Sequence, residues 1–131
     1  MDGQALQHHA VERAEELPGA ELHHPFGPDW DVWKVRGKVF MLLTSITGTP
    51  MVTLKASPSD GLTLREAHPD IRPGYHMNKG HWVTLSPGGS LDRDLIADLV
   101  ADSYLLVVGN LPRRQRPIDP GAFGAAGRAA R

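Results

Sequence analysis

The sequence predicts one α+β domain, a two-layer α/β sandwich in which helices pack on one face of an antiparallel sheet. Two segments, near residues 5–17 and 91–106, carry apolar side chains at helical spacing. Between them lie short runs of β-branched and aromatic residues separated by turn residues, as is typical of strands. The 131 residues suffice for one hydrophobic core. We therefore expect both helices on the same side of the sheet.

The ends of the predicted helices follow from local signals. The first helix ends before Pro18-Gly19, since neither residue continues a helix, and an extended piece over 21–25 follows. The second long helix is predicted to begin at Ser90, whose hydroxyl suits the capping position. A third, short helix is predicted to begin at Ser57-Pro58 and to stop at Pro69.

A β-hairpin is predicted from residues 31–35 and 38–44, because Arg36-Gly37 is a two-residue connection with Gly in the second position. Pairing across this turn places Trp33 opposite Phe40 and Lys34 opposite Val39. Alternation then groups four side chains on one face: Trp33, Val35, Phe40 and Leu42. The other face is apolar as well, so the pattern leaves open which face is buried. Further strands are predicted at 51–56 and 81–86.

Composition limits the class of protein. Apolar residues make up 40% and charged residues 22%, as in ordinary globular domains. No apolar run reaches the ~18 residues of a membrane span and no secretory leader is seen, so we expect a cytoplasmic protein without membrane contacts. The absence of cysteine excludes disulfides and thiolate chemistry. We expect one domain over residues 1–116 and a basic, flexible tail over 117–131.

The net charge of −1 conceals an uneven distribution. Residues 32–59 contain no acid and four bases: Lys34, Arg36, Lys38 and Lys55. Many acids lie in the predicted helices, including the row Asp94, Asp98 and Asp102. If strands and helices form separate layers, the molecule has a basic side and an acidic side. Such a distribution bears on the partners that the protein attracts.

Residues 71–82 form the segment that is richest in side chains able to recognise a ligand. Between Ile71 and Leu91 there is no acidic residue. The Pro73-Gly74 pair suits a type II turn, in which Gly takes a positive φ. Exposed loops of this kind often carry function. The alternative is that Tyr75, Met77 and Trp82 only anchor the segment on the sheet.

These residues resemble the MmcQ/YjbR family of small bacterial proteins. The resemblance covers about residues 5–116 and is strongest in Pro73-Gly74-Tyr75-His76-Met77-Asn78-Lys79 and in His81-Trp82. Gly80 stands where the family commonly has a second Lys. The resemblance implies a compact α/β fold similar to that of frataxin, with helices against one face of the sheet. It also implies DNA binding through a double-wing arrangement of sheet and loops.

DNA is accordingly the expected partner. Phosphate contacts need Lys and Arg, and unstacked bases need aromatic faces. The hairpin tip would form one wing and the central segment the other. The predicted contacts are Lys34, Arg36, Lys38, Arg72, Tyr75, His76, Asn78 and Lys79.

Two other functions stay open: a frataxin-like cation- or protein-binding acidic helix face, and a small-molecule adaptor with a pocket at the central segment. No nucleophile–base motif and no phosphate loop occurs, so we expect no enzymatic activity and no cofactor. Seven histidines include the pairs His8-His9 and His23-His24, whose members point apart in regular strands. We therefore expect no metal site.

Overall fold

A computed structural model describes residues 1–121, which form a six-stranded antiparallel sheet and three α-helices. The helices are α1 (Gly3–Glu15), α2 (Pro58–Ala67) and α3 (Arg93–Gly109), and a 3-10 turn over Arg113–Gln115 follows α3. The strands are β1 (Ala20–His23), β2 (Trp30–Val35), β3 (Lys38–Thr44), β4 (Met51–Lys55), β5 (Ile71–Pro73) and β6 (Trp82–Leu85). They lie in the order β1-β2-β3-β4-β6-β5. The predicted α+β class is confirmed.

The core lies between one face of the sheet and the helices. Its buried side chains come from α1, α3 and the inner face of the strands, and include Leu6, Ala10, Val35, Leu43, Val52, Leu54, Val83, Ile96, Val100 and Tyr104. The two long helices contact each other, and Arg93 Nη2 donates to Glu12 Oε1 across them at 3.1 Å. Within residues 1–121 no helix is long and apolar enough to cross a membrane.

A β-bulge at Phe40 sets the register of the β2–β3 hairpin. Arg36 and Gly37 have φ values of 50° and 79°, the positive values that a type I′ turn requires. Lys34 pairs with Val39 as predicted, but Trp33 pairs with Met41, so the predicted Trp33–Phe40 pair is wrong. Phe40 is the extra residue of β3, and the bulge turns both Phe40 and Met41 into the core.

The bulge also changes the face on which Leu42 lies. The sequence placed Leu42 with Trp33 and Val35. In the structure it lies between Val32 and Thr53 on the face that points away from the helices. The prediction failed because one extra residue inverts the alternation for the rest of the strand.

Ser103 of α3 holds the bulge. The β3–β4 ladder ends at the Met41–Leu54 pair. Beyond it, Ser103 Oγ donates to Phe40 O at 2.6 Å and accepts from Lys55 N at 2.8 Å. The serine is fully buried. Its hydroxyl therefore joins the two strands at the point where their own pairing stops, and it fixes α3 over that point.

One predicted helix start is confirmed and one is wrong. Ser57 caps α2 by accepting from Asp60 N at 3.3 Å. The cap of α3 is Asp92 rather than Ser90, with Asp92 Oδ1 accepting from Leu95 N at 2.8 Å. Ser90 instead donates its hydroxyl and its backbone N–H to Asp70 Oδ2, at 2.7 and 3.0 Å. These two bonds lower the pKa of the Asp70 carboxyl.

Arg116 closes the C-terminal end of α3. Its Nη2 donates to Gly109 O at 2.8 Å and its Nε to Leu111 O at 2.9 Å, which places a cation at the negative end of the helix dipole. Ile118 lies beyond the boundary predicted at residue 116, and it packs against the core. Residues 122–131 of the predicted tail lie outside the described residues, so the boundary at 116 and the tail over 117–131 stay predictions.

We predict that Ser103→Ala lowers the free energy of unfolding by about 2 kcal/mol or more, because two buried backbone groups lose a partner. Urea denaturation measures the change. Thr63→Ala is the matched control, because the Thr63 hydroxyl makes one exposed bond to Ser59 O within α2. It should change stability by less than about 0.5 kcal/mol. Equal effects of the two substitutions would contradict the bridging role of Ser103.

Tyr104 makes stability fall at high pH. The side chain is fully buried, its hydroxyl donates to Pro18 O, and its ring meets that of Phe40 edge-on at 5.5 Å. Burial raises the pKa of Tyr104 to about 12. An unfolded tyrosine has a pKa of about 10, so the folded state holds the proton more tightly between these values. The stabilisation is complete below pH ~10 and is lost as the pH rises through the folded pKa.

We therefore predict that the free energy of unfolding falls by about 1.4 kcal/mol per pH unit from this group between pH ~10 and ~12. Denaturant titrations of the wild type and of Tyr104→Phe across this range isolate the contribution, because other groups titrate in both proteins. Tyr104→Phe is less stable at neutral pH, but its free energy of unfolding should fall less steeply with pH than that of the wild type. Parallel slopes would show that Tyr104 does not titrate with unfolding.

Candidate nucleic-acid interface

The central loop, residues 74–81, lies across the sheet face that points away from the helices. Gly74 N donates to Trp82 O at 2.9 Å, and Tyr75 N donates to Thr84 Oγ1 at 2.8 Å. Thr84 Oγ1 in turn bonds Thr53 Oγ1 at 2.9 Å on the neighbouring strand. The Tyr75 ring stacks on Trp30, with 6.3 Å between centroids and 12° between planes. The loop thereby covers a face that would otherwise expose apolar and hydroxyl groups.

The course of the central loop over the sheet requires glycine at position 74, but the reason differs from the one predicted. Its φ is not positive, so the predicted type II turn at Pro73-Gly74 is wrong, and Pro73 ends strand β5 instead. A Cβ on Gly74 would lie 2.6 Å from Trp82 Cβ and 3.1 Å from Trp82 O. The positive φ of the loop belongs to His76, at 58°. Glycine is thus needed for close approach to Trp82.

A tight turn at the tip of the loop presents Lys79. His81 N donates to Asn78 O at 3.1 Å, and Gly80 N donates to Asn78 Oδ1 at 2.9 Å. Lys79 stands between these partners and is exposed. The Asn78 side chain is therefore occupied in part by the turn itself. At the tip of the loop, Lys79 is therefore more available to a ligand than the Asn78 amide, which the sequence suggested as a contact to a base.

The hairpin turn and the central loop leave the sheet at the same end. Lys38 pairs with Val35 at the last step of the β2–β3 ladder. In the antiparallel register the same end of the sheet holds the Lys55–Trp82 pair and the end of β5. Side chains from three separate parts of the sequence are thus carried to one end.

The hairpin tip also binds the segment that follows α3. Arg36 Nε donates to Gln115 O at 3.0 Å and so fixes the 3-10 turn beside the hairpin. Arg113 and Arg114 of that turn are exposed. The cations at this end of the sheet are referred to below as the basic end: Arg36, Lys38, Lys55, Lys79, Arg113 and Arg114. Three of them, Lys55, Arg113 and Arg114, were not among the predicted contacts.

Two other predicted contacts, Lys34 and Arg72, lie one ladder step in from the basic end, on the open face of the sheet. Lys34 stands opposite Glu21 of β1 in the ladder, so an acid neighbours it that the sequence pattern did not place there. Arg72 stands opposite Thr84 and is exposed. His76 meets the Tyr75 ring edge-on at 4.1 Å. Because Tyr75 is stacked on Trp30, it supports the loop and offers less ring surface to a base than predicted.

The cations of the basic end are not paired with acids. Within residues 1–121 no carboxylate oxygen lies within 4.0 Å of any of their charged nitrogens. Arginines of the helix layer behave differently: Arg13 pairs with Glu16 at 3.4 Å and Arg93 with Glu12 at 3.1 Å. The basic end thus retains charge that can meet an anionic partner.

Two cavities bear on the alternative functions. A cleft of about 520 Å³ lies between α2, α3 and β4, with mostly apolar walls and with Asp60 and Asp102 at its sides. Its walls come from the helices, β4 and β6 rather than from the central loop. A smaller notch of about 250 Å³ lies at the basic end and is lined by Lys38, Val39, Lys55, Trp82, Val107, Asn110 and Leu111. In the part of the chain that the structure describes, no three His, Asp or Glu side chains are grouped so as to hold a metal ion.

Sequence comparison defines the class of protein. The YjbR family model matches residues 15–106, and the chain belongs to this family, as the resemblance predicted. YbdF of Escherichia coli O157:H7 is 45% identical over 122 residues, which are 92% of this chain and all of that protein. YjbR of E. coli K12 is 38% identical over 105 residues, which are 77% of this chain and 86% of that protein. Both relatives are named as uncharacterized proteins.

Solved structures share the fold. Protein DR2400 of Deinococcus radiodurans, which carries a DUF419 domain, is 34% identical and superposes with a TM-score of 0.74 over 80% of each chain. A crystal structure of a Pseudomonas syringae protein is 29% identical, with a TM-score of 0.64 over 81% of this chain and 98% of that one. The sheet and helix arrangement described above is therefore that of the family.

We predict that Gly74→Ala destabilises the protein by about 1–3 kcal/mol, because the added methyl group overlaps Trp82. Gly80→Ala in the same loop is the control: its Cβ meets only Asn78 Oδ1, at 3.4 Å, so the change should stay within about 0.5 kcal/mol. Urea denaturation followed by tryptophan fluorescence measures both. A Gly74→Ala protein as stable as Gly80→Ala would refute the close approach at Trp82.

Proposed function

We propose that the protein binds DNA through the basic end. The observation that carries the proposal is the antiparallel register, which brings the hairpin turn, the end of β4 and the central loop to one end of the sheet. Phosphate contacts supply most of the affinity of such proteins, and they need cations that are free to replace counterions. The cations of the basic end, which have no carboxylate partner among residues 1–121, meet that need.

The helix layer supports the proposal by its opposite charge. Glu12, Glu16 and Asp94 lie on α1, at its end and on α3, on the side of the sheet away from the central loop. A duplex bound on the sheet side of the basic end therefore does not meet these three acids. The charge separation also orients the molecule during approach, since the field of the whole protein steers association.

The proposal describes a binding module without catalytic activity of its own. The groups that converge at the basic end are Lys and Arg side chains, a tryptophan and backbone amides. A nucleophile held within hydrogen-bond reach of a base is the arrangement that covalent or acid–base catalysis needs. The Lys and Arg side chains of the basic end are better suited to electrostatic recognition of an anionic partner than to such catalysis.

We predict that affinity for duplex DNA falls steeply with salt, and that Lys38→Ala and Lys79→Ala each reduce the slope of log K against log salt by roughly one unit. Neither side chain makes a hydrogen bond or ion pair within residues 1–121, so the fold should be kept. Fluorescence anisotropy with a labelled duplex at several salt concentrations gives the slope. Every variant is made in the full-length chain. Any contribution of Arg128 and Arg131 to the salt slope therefore cancels when a variant is compared with the wild type.

Arg13→Gln is the matched control, because it removes one positive charge from the helix layer, where Arg13 is already paired with Glu16 at 3.4 Å. It should leave the salt slope unchanged. If the Lys38→Ala/Lys79→Ala double variant binds with wild-type affinity and slope, or if the wild type does not bind DNA, the proposed function is wrong.

A further inference from the structure

We propose that the notch at the basic end binds one unpaired nucleotide, with its base against Trp82 and its phosphate between Lys38 and Lys55. The inference rests on the proposed function and specifies it: the preferred ligand is single-stranded DNA. In duplex DNA both faces of each base are covered by neighbouring pairs. Only an unstacked base can enter a notch of this kind.

The notch exists because β3 and β4 separate. Their ladder ends at the Met41–Leu54 pair, and the bulge at Phe40 directs the start of β3 away from β4. Val39 and Lys38 form one wall of the gap, and Lys55 and Trp82 form the other. Ser103 joins the strands at the inner limit of the gap, and the end of α3 closes its base through Val107 and Leu111.

The size of the notch selects the ligand. It holds about 250 Å³, slightly below the ~300 Å³ at which pockets for complete drug-sized ligands begin. A single base, or a base with part of its sugar, matches this volume. The rest of a strand would lie outside, along the other cations of the basic end.

The walls supply both kinds of contact that an unpaired nucleotide needs. Lys55 Nζ lies over one face of the Trp82 ring, 5.8 Å from its centre, so a cation and an aromatic surface already lie together and a base would stack on the other ring face. Trp82 is half-buried, and the ladder to β4 and the close approach of Gly74 hold its backbone and Cβ in place, so the position from which the ring extends is fixed before binding. Lys38 is exposed on the facing wall.

The surroundings of the notch suit an anion. The C-terminal end of a helix ordinarily repels negative charge, and α3 ends here. Arg116 offsets that effect, because its guanidinium group binds the carbonyls of Gly109 and Leu111. The larger cleft shares Lys55 as a wall but carries Asp60 and Asp102, so a phosphate is favoured on the side of the notch.

The test compares three probes on the full-length protein: a thymidine-only oligonucleotide of about 12 nucleotides, a duplex of the same length, and free thymidine monophosphate. We expect the single strand to bind more tightly than the duplex. Trp82→Leu should weaken single-strand binding by roughly 5- to 150-fold, the loss that removal of one stacking contact causes, and duplex binding by less than about twofold. Lys55→Ala should weaken binding of the single strand more than binding of the duplex.

Two further variants guard against a change in folding. Trp82→Phe keeps an aromatic face and should retain single-strand affinity within a few-fold, whereas Arg13→Gln should match the wild type for every probe. Loss of binding in Trp82→Leu together with full retention in Trp82→Phe supports the notch. Similar loss in both variants, with an unchanged urea midpoint, overturns it.

The remaining outcomes separate this inference from the proposed function. Duplex binding with the predicted salt slope, but without single-strand preference or Trp82 dependence, overturns the notch and leaves the proposed function standing. If thymidine monophosphate binds in a Trp82-dependent manner and neither DNA binds, the proposed function fails and the assignment to single strands fails with it. If no probe binds, both fail, and the salt experiment shows the same result independently.

Discussion

The hydroxyl of Ser103 is the contact on which the architecture of this protein depends. It is the point at which α3, β3 and β4 meet, since Phe40 O and Lys55 N both bond to it. The bulge that it holds turns Phe40 and Met41 into the core together, and Phe40 then meets the ring of Tyr104 one residue along the same helix. The same separation of strands creates the gap between Lys38 and Lys55. One buried hydroxyl thus couples packing of the core to the shape of the basic end.

The two layers of the molecule have different electrostatic roles. In the helix layer, Arg13 and Arg93 are matched to carboxylates, Arg65 bonds the carbonyl of Gly61, and Arg116 is matched to the carbonyls that end α3. At the end of the sheet the cations have no such partners among residues 1–121. Like charges placed close together destabilise a fold, so an unmatched group is commonly maintained for a partner. The stacking of Tyr75 on Trp30 holds the central loop against the open face of the sheet.

Local signals in the sequence sufficed for most elements, although not for β5, and failed where distant residues decide the outcome. Arg36-Gly37 predicted the hairpin turn, and apolar spacing predicted both long helices. The register beyond Lys34 could not be predicted, because the bulge is held by Ser103, which lies 63 residues from Phe40. Ser90 has the residue type of a helix cap, but Asp70 competes for its hydroxyl. For the candidate site, the charge pattern predicted Arg36, Lys38 and Lys79 as contacts, and these stay predictions. The convergence of Lys55, Trp82 and the 3-10 turn depends on strand order, which a local pattern does not encode.

The position of α3 has a consequence for synthesis of the protein. This helix is the last long element of the described chain, yet it supplies the partners of residues made much earlier: Tyr104 bonds Pro18 across 86 residues and Arg93 bonds Glu12 across 81. A ribosome adds roughly 5–20 residues per second, so the sheet emerges some seconds before its apolar face can be covered. During that interval the nascent chain exposes Val35, Leu43 and Leu54 to other hydrophobic surfaces. The protein should therefore draw on chaperones during translation more than its small size suggests, and codons that slow the translation of α3 should lengthen the exposed interval.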